Sequence, residues 1–328
     1  SSAASDVYKR QNQIILILIF KNFFYGEYML DNKTETLIAV AEQKNFTRAA
    51  EALSLTQPAV SHQISQLEQS LGAKLFNRKK GELTLTQEGE IAVRYARILT
   101  SMDQKMHMEI ADSKRNIKNL RIGLTHTSES TFATEVLARY GNEYPNVSIT
   151  VFTDTIKNLY DMLDNFEIDL AITDGKVSNP SLNSVMIDTD YLVCIMSNNN
   201  PLAKHSMITL NELRRERLIL RLPTSATRML FEATLESHNE SIDDFNVILE
   251  VDNVTTIKDL VKKDFGVSIL AKSVCLREVR KKKLTIVPIE NLSMARETNI
   301  VYHKSFAHTE VLQDITQLYH DTKKHYLV

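Results

Sequence analysis

The chain has 328 residues, 43% hydrophobic and only 7% aromatic, long enough for two or three domains with a core each. Its 39 basic and 41 acidic residues nearly cancel, and eight glycines with six prolines are too few for a disordered or collagenous chain. The two cysteines, Cys194 and Cys275, lie far apart without Cys-x-x-Cys or Cys/His spacing, so neither a disulfide framework nor a structural zinc site is indicated, and a reducing cytoplasm fits.

Ser1 to Gln11, SSAASDVYKRQ, resembles the in-frame translation of a transposase-based sequencing-library adapter. Asn12 to Tyr28 is rich in Ile, Asn, Lys, Phe and Tyr, as the translation of an AT-rich upstream region would be. Residues 1–28 are therefore expected to be non-native, with the natural chain starting at Met29. The rival reading is a signal peptide, with Lys9 and Arg10 before the apolar run Ile14 to Phe20. That run is short for export, lacks a small-residue cleavage site and is far too short to span a bilayer.

From Met29 the pattern becomes helical. Asn32 and Glu35 have the spacing of a capping box ahead of Leu37, Ile38, Val40 and Ala41. Thr47 is the expected N-cap of a second helix, whose Ala49, Ala50 and Ala52 let a neighbour approach closely. After a turn at Ser54 to Thr56, Thr56 is expected to cap a third helix with Pro58 in its first turn. Val60, Ile64, Leu67 and Leu71 fall on one face of it, and Gly72 ends it.

The opposite face carries Gln57, Ser61, His62, Ser65 and Gln66, side chains able to donate and accept at base edges and phosphates. Pro58 can touch a thymine methyl, and helix N-termini, including that at Thr47, can receive phosphate. Residues 75–86 then read as two short strands around a basic turn, with Arg78, Lys79 and Lys80 placed to meet a phosphate backbone or a minor groove. Residues 29–89 nevertheless carry seven basic and seven acidic side chains, a weak field for one copy of the chain.

Ala49-Ala50 and Leu53, then Gln57-Pro58-Ala59-Val60-Ser61, Ile64, Leu67-Glu68, Leu71-Gly72, Leu75-Phe76, Arg78, Leu85-Thr86 and Gly89 resemble the signature of LysR-type transcriptional regulators in order and spacing. His62 stands where many members carry arginine. The resemblance implies an α/β chain in three parts. These are an N-terminal winged helix-turn-helix over 29–87, a long linker and dimerisation helix over 88–116, and a two-lobed α/β effector domain over 117–328, similar to periplasmic binding proteins. Lobe I would take about 117–189 and 293–328, and lobe II about 190–292. It further implies duplex promoter DNA, a small effector, further copies of the chain as dimer or tetramer, and RNA polymerase as partners, with no cofactor, no metal and no membrane.

The residues beyond Thr86 agree. Ile91, Val93, Ala96, Leu99, Met102 and Met106 form an apolar seam on a helix reaching about Lys114. Strands are predicted at 120–124, 147–152, 170–172, 191–196, 218–220, 247–251, 267–270, 284–287 and 299–303. Helices are predicted near 132–144, 156–166, 227–237, 255–263 and 309–325. Glu167 to Ile172, Asn200-Pro201-Leu202 and Gly266-Val267 resemble the family's effector domain.

Loops that follow strands and open helices present free N–H groups, and three qualify as effector sites: Thr125, Thr127 and Ser128; Thr224, Ser225, Thr227 and Arg228; Asn253 and Thr255. Thr125-His126-Thr127 resembles the sulfur-assimilation branch of the family, and the Thr224 to Arg228 loop resembles a Ser-Gly-Thr-Arg loop of other members. Hydroxyls, an arginine and helix N-termini favour a small anion or carboxylate. Plain N-capping explains the same Ser, Thr and Asn residues without any ligand. His126, His205, His303 and His308 lack metal spacing, and no nucleophile, base and orienting acid stand together, so no catalysis is expected. The alternative is a solute-binding or other small-molecule-binding protein, which would explain two lobes but leave Gln57 to Thr86 without a role.

Overall fold

The computed structural model describes residues 31–79, 82–115 and 118–327, so the expectations for residues 1–28 and for Lys80 lie outside it. The chain forms two compact units that divide between Met106 and His107.

The first unit contains helices α1 (Asn32–Gln43), α2 (Phe46–Leu53) and α3 (Gln57–Leu71), an antiparallel hairpin of β1 (Phe76–Lys79) and β2 (Glu82–Leu85), and the start of α4 (Gln87–Arg115), which runs past the division. Two caps differ from expectation. Asp31, not Asn32, caps α1 by accepting from the Lys33 N–H, and Asn45, not Thr47, caps α2, its carboxamide oxygen accepting from Thr47 N at 2.8 Å and Arg48 N at 3.1 Å. In both cases the residue before the helix has extended backbone and aims its oxygen at the free N–H groups. Thr56 does cap α3, with Pro58 in the first turn and Gly72 ending it in the left-handed conformation at φ 64°.

The core of this unit joins Leu37 and Val40 of α1, Ala49 and Ala50 of α2, Val60 and Ile64 of α3, Leu75, Phe76, and Val93 and Ala96 of α4. Fully buried Ala49 has the small side chain that three close helices need. Leu71 departs from its expected face: at the last turn of α3 it is exposed. The predicted single seam on α4 is in fact two faces. Val93 and Ala96 are buried in the core, while Ile91, Tyr95, Leu99 and Met102, spaced by four, four and three, form an apolar stripe about half exposed. Gly89 is required at the start of α4, since a Cβ there would lie 2.0 Å from the Leu75 carbonyl oxygen.

In the second unit a seven-stranded sheet is built from β3 (Lys118–Thr125), β4 (Val147–Asp154), β5 (Leu170–Asp174), β6 (Leu182–Met196), β9 (Ser268–Ala271), β10 (Thr285–Val287) and β11 (Ala295–His303). The order β10-β6-β11-β5-β3-β4, with β9 also on β6, comes from one long strand. The first part of β6 pairs with β11, and its last residues pair with β9 and β10. Strand β6 starts nine residues before the predicted 191; its first half is polar and largely exposed and carries no continuous apolar run from which a strand could be read. Strands β7 (Arg217–Leu220) and β8 (Asn246–Glu250) form a separate parallel pair.

Helices α5 (His126–Glu129), α6 (Ala133–Glu143), α7 (Ile156–Asp164), α8 (Leu210–Arg214), α9 (Ala226–Ser237), α10 (Val254–Lys262), α11 (Leu276–Arg280) and α12 (Thr309–Leu327) complete the unit. Buried side chains of this unit gather into three clusters. One joins Leu120, Ile122 and Leu124 of β3 to Val136 and Leu137 of α6 and Val311, Ile315 and Tyr319 of α12. A second joins Leu159 and Leu163 of α7 to Ala171 of β5, Leu182 of β6 and Val301 of β11. The third joins Cys194 and Ile195 at the end of β6 to Leu218 and Ile219 of β7, Phe231 of α9 and Ile257 of α10.

Candidate functional site

In the first unit, α3 sets one buried face against one polar face. Burial of Val60 and Ile64 turns Gln57, Pro58, His62, Ser65 and Gln66 outward to solvent, with Ser61 half-buried beside them. Gln57 Nε2 donates to Ser61 Oγ at 2.8 Å, and Gln66 Nε2 lies 2.9 Å from His62 Nε2, so four of the polar side chains form two pairs one helical turn apart. Thr47 is exposed in the first turn of α2, where the structure gives it a helix N-terminus but not the capping role. Arg78 and Lys79 lie in β1 opposite Leu83 and Glu82.

Two bonds hold the segment before the hairpin to α3. Glu68 on α3 accepts from the Leu75 N–H at 2.9 Å and from Lys74 Nζ at 2.6 Å. Burial alone would raise its carboxyl, but these bonds outweigh that and leave its pKa lowered. Thr86 donates to the Lys74 carbonyl at 2.6 Å and accepts from Gly89 N at 2.9 Å, joining the base of the hairpin to the start of α4. Sequence reasoning assigned no role to Glu68 beyond the family signature; its position one turn from the end of α3 was the available signal.

In the second unit the three predicted loops have different fates. Thr125 caps α5, accepting from Ser128 N at 3.1 Å, and donates to Asp174 Oδ2 at 2.7 Å. Thr125, Thr127 and Ser128 are all buried. Ser225 caps α9 by accepting from Arg228 N, Thr227 and Arg228 are buried, and Thr224 is exposed. Asn253 caps α10 by accepting from Thr256 N at 2.9 Å, and both Asn253 and Thr255 are exposed. Because β7 and β8 are parallel neighbours, the second and third loops leave the sheet side by side.

A small pocket with an accessible volume of about 10 Å³, room for about one water, lies in this unit, lined by Ser128, Thr131, Ala133, Ile172, Asp174, Asp188, Asp190, Ser273, Thr298 and Tyr319. Of the nine predicted effector residues only Ser128 lines it. Thr125 reaches it through Asp174, and Thr227 through Arg296, whose Nη1 donates to Thr227 Oγ1 at 3.4 Å and whose Nη2 lies 3.5 Å from Asp174 and 3.6 Å from Asp190. Thr127, Thr224, Ser225, Arg228, Asn253 and Thr255 are not among its lining. The acidic residues and Arg296 went unread because they are spread over three strands and only strand pairing assembles them.

Arginines surround the second loop. Buried Arg228 bonds Glu232 through Nε and lies 3.6 Å from Glu250, and buried Arg221 donates to Asp252 Oδ1 at 3.1 Å. Arg221 Nε, Arg228 Nη1, and Arg296 Nε and Nη2 are buried donors without a hydrogen-bond acceptor. Buried donors in that state favour an acceptor brought by a ligand. At the pocket wall, burial, then Asp188, Asp190 and Asp174, push the Tyr319 phenol well above its usual value and keep it a neutral donor, with its OH 3.4 Å from Asp188 Oδ2.

The two thiols are buried and free. Burial pushes Cys194 up, with Glu216 adding to it, and burial takes Cys275 to about 12. Both shifts run opposite to that of a reactive thiolate. Among the described residues no group of three or more His, Cys, Asp or Glu is arranged for a metal ion, and no helix is long and apolar enough to cross a membrane.

Comparison with known proteins places this geometry among relatives. Residues 32–90 match the family model of bacterial regulatory helix-turn-helix proteins, lysR family, and residues 114–323 match that of the LysR substrate binding domain. The HTH-type transcriptional activator CmpR of Synechocystis is 31% identical over 272 residues, covering 83% of this chain and 88% of that protein. Full-length CbnR, solved in complex with its target DNA, is similar in fold at a TM-score of 0.62 and 19% identity, covering 88% of this chain and 98% of that one. The Synechocystis CcmR regulatory domain, solved in complex with 2-PG, has a TM-score of 0.55 and 22% identity, covering 61% of this chain and 97% of that one.

Proposed function

The chain belongs to the LysR family of transcriptional regulators, with an N-terminal helix-turn-helix and a C-terminal effector domain, and on that premise we propose how each part works. Helix α3 enters the major groove of promoter DNA, with Gln57, Ser61, His62, Ser65 and Gln66 toward base edges and Pro58 toward a thymine methyl. Thr47, Arg78, Lys79 and Lys80 meet phosphates. The single observation that carries this is the polar face of α3, exposed because Val60 and Ile64 hold the opposite face in the core. CbnR, of the same fold, is known bound to its target DNA.

Two copies act together. The stripe Ile91, Tyr95, Leu99 and Met102 is the surface on which α4 meets a second copy, and pairing doubles a DNA contact that the neutral charge of residues 29–89 leaves weak. The effector is a small anion in the second unit, read by the buried arginine donors and by hydroxyls of the first two loops, with Asn253 and Thr255 at its margin. The CcmR complex with 2-PG supports an effector role for this kind of domain. The protein works in the cytoplasm, where its promoter lies.

Footprinting and fluorescence anisotropy across the neighbouring promoters test this reading. Binding should weaken as salt rises, with log K falling linearly against log salt, and a panel of small carboxylates and oxyanions should change the affinity or the footprint. Salt-insensitive binding or no protected promoter would overturn it.

A further inference from the structure

Charge is distributed unevenly over the second unit. Residues 107–328 carry 26 basic and 30 acidic side chains, yet six of the basic ones and a single acid fall within residues 272–283, so a cationic segment stands in an otherwise acidic unit. Lys272, Arg277, Arg280, Lys281, Lys282 and Lys283 are all exposed. The one acid, Glu278, is paired at 2.9 Å with Nζ of buried Lys258, so it does not offset the exposed charges.

The segment is held in shape by bonds that leave its lysine side chains unused. After α11, the N–H groups of Lys281, Lys282 and Lys283 donate to the carbonyls of Arg277, Val279 and Glu278, and Lys282 takes the left-handed conformation at φ 52°. Asn198 Nδ2 donates to the Lys282 carbonyl at 2.7 Å, and Asn198 Oδ1 accepts from Thr285 Oγ1 at 2.8 Å, tying the turn to β10 and to the segment after β6. Arg277 is engaged with the Tyr326 hydroxyl at 2.9 Å and with Glu135 at 3.5 Å, and Arg280 with the His325 carbonyl at 3.0 Å. Lys281, Lys282 and Lys283 make no ion pair among the described residues. Helix α11 has only five residues, so its dipole is too small to account for three lysines.

A surface of this kind fits an extended polyanion. Protein interfaces are depleted in lysine and centred on apolar or aromatic side chains, and no large exposed hydrophobic side chain lies within 272–283. A small anion needs a concave site with converging donors, which flexible, strongly hydrated ammonium groups on a turn do not build. Duplex DNA carries one charge per ~1.7 Å of its axis, so neighbouring lysines can each meet a phosphate without a fixed geometry. We propose that Lys281, Lys282 and Lys283 are a second DNA contact of this chain, made by the second unit to the phosphate backbone of the promoter duplex. The inference rests on the reading of α3 as the helix that reads DNA, and it supplies the attraction that the neutral residues 29–89 lack. Phosphate carries no sequence information, so the contact strengthens specific and non-specific binding alike.

Salt titrations of the full chain on a fragment of a neighbouring promoter test the assignment. Combining Lys281→Ala, Lys282→Ala and Lys283→Ala should make the slope of log K against log salt shallower by about 2–3, at about 0.9 per lost phosphate contact, and weaken specific and non-specific duplex by the same factor, at least about tenfold at low salt. The hydroxyl-radical footprint should shorten, and the melting temperature should hold because the three side chains are exposed. Lys157, Lys176 and Lys304 are exposed lysines outside the segment; changing these three to alanine removes the same charge and should leave slope and footprint as they are. An unchanged slope in the 281–283 variant, or an equal change in the control variant, would overturn the proposal and leave the reading of α3 intact. Lost promoter activation with unchanged DNA affinity would assign the lysines to a protein partner and overturn it likewise. Salt-sensitive duplex binding without any protected promoter would count against the reading of α3, while the slope comparison still decides the lysines; no duplex binding at all would overturn both.

Discussion

The polar face of α3 in the first unit and the pocket of the second are assembled in opposite ways. Gln57 to Gln66 occupy ten consecutive positions on one helix, so a single periodic segment presents them together. The pocket collects Ser128, Asp174, Asp188, Ser273, Thr298 and Tyr319 from segments spread over nearly two hundred residues, held in place by strand register and two cores. Surface substitutions should therefore act singly in the first unit, and changes in the second should spread through shared ion pairs.

The sharpest way to separate the units uses their two tightest glycines. A Cβ at Gly89 would meet the Leu75 carbonyl oxygen at 2.0 Å, and one at Gly266 would meet the Arg217 carbonyl oxygen at 2.4 Å, both rigid backbone. Gly89→Ala should destabilise the first unit, and Gly266→Ala the second, each by about 4 kcal/mol. Limited proteolysis would show which unit opens; simultaneous loss of both would contradict their independence. Next in size, Tyr95→Glu with Leu99→Glu should abolish dimers in sedimentation velocity and lower affinity for a full promoter site about a hundredfold or more, with helicity unchanged.

Smaller effects probe single contacts. Gln57→Ala should cost about 1–3 kcal/mol of DNA affinity with no change in melting temperature, because the side chain is exposed; an equal loss on all sequences would make it a phosphate contact instead. Asn45→Ala and Asn253→Ala each remove one capping oxygen and should each cost about 0.5–2 kcal/mol of stability in their own unit. The Glu68 carboxyl is held below its ordinary value in the folded chain, so its contribution to stability is present above the unfolded pKa and is lost as pH falls through the lower folded one. Glu68→Gln should flatten the acid limb of a pH series of melting temperatures for the first unit and leave the second unchanged.

Much of the architecture was legible before the structure. The helices near 57–71 and 309–327, the parallel strands at the start of the second unit and the outward face of α3 all follow from local periodicity, which needs no partner to be read. The caps at Asp31 and Asn45 were misplaced by one and two residues, since several polar residues near each helix start could cap and only backbone direction selects among them. The seam on α4 reads as continuous in sequence, but packing with Phe76 and Leu75 buries one side and leaves the other about half exposed.

What the sequence determined by itself is α3 with its two faces and the family, because both lie in short-range pattern: apolar residues at helical spacing and a dense motif from Ala49 to Gly89. What tertiary structure alone decided is the pocket. Asp174, Asp188, Asp190 and Arg296 lie on three strands, and whether they converge depends on a register that one residue of slip would reverse, placing every one of them on the other face of the sheet.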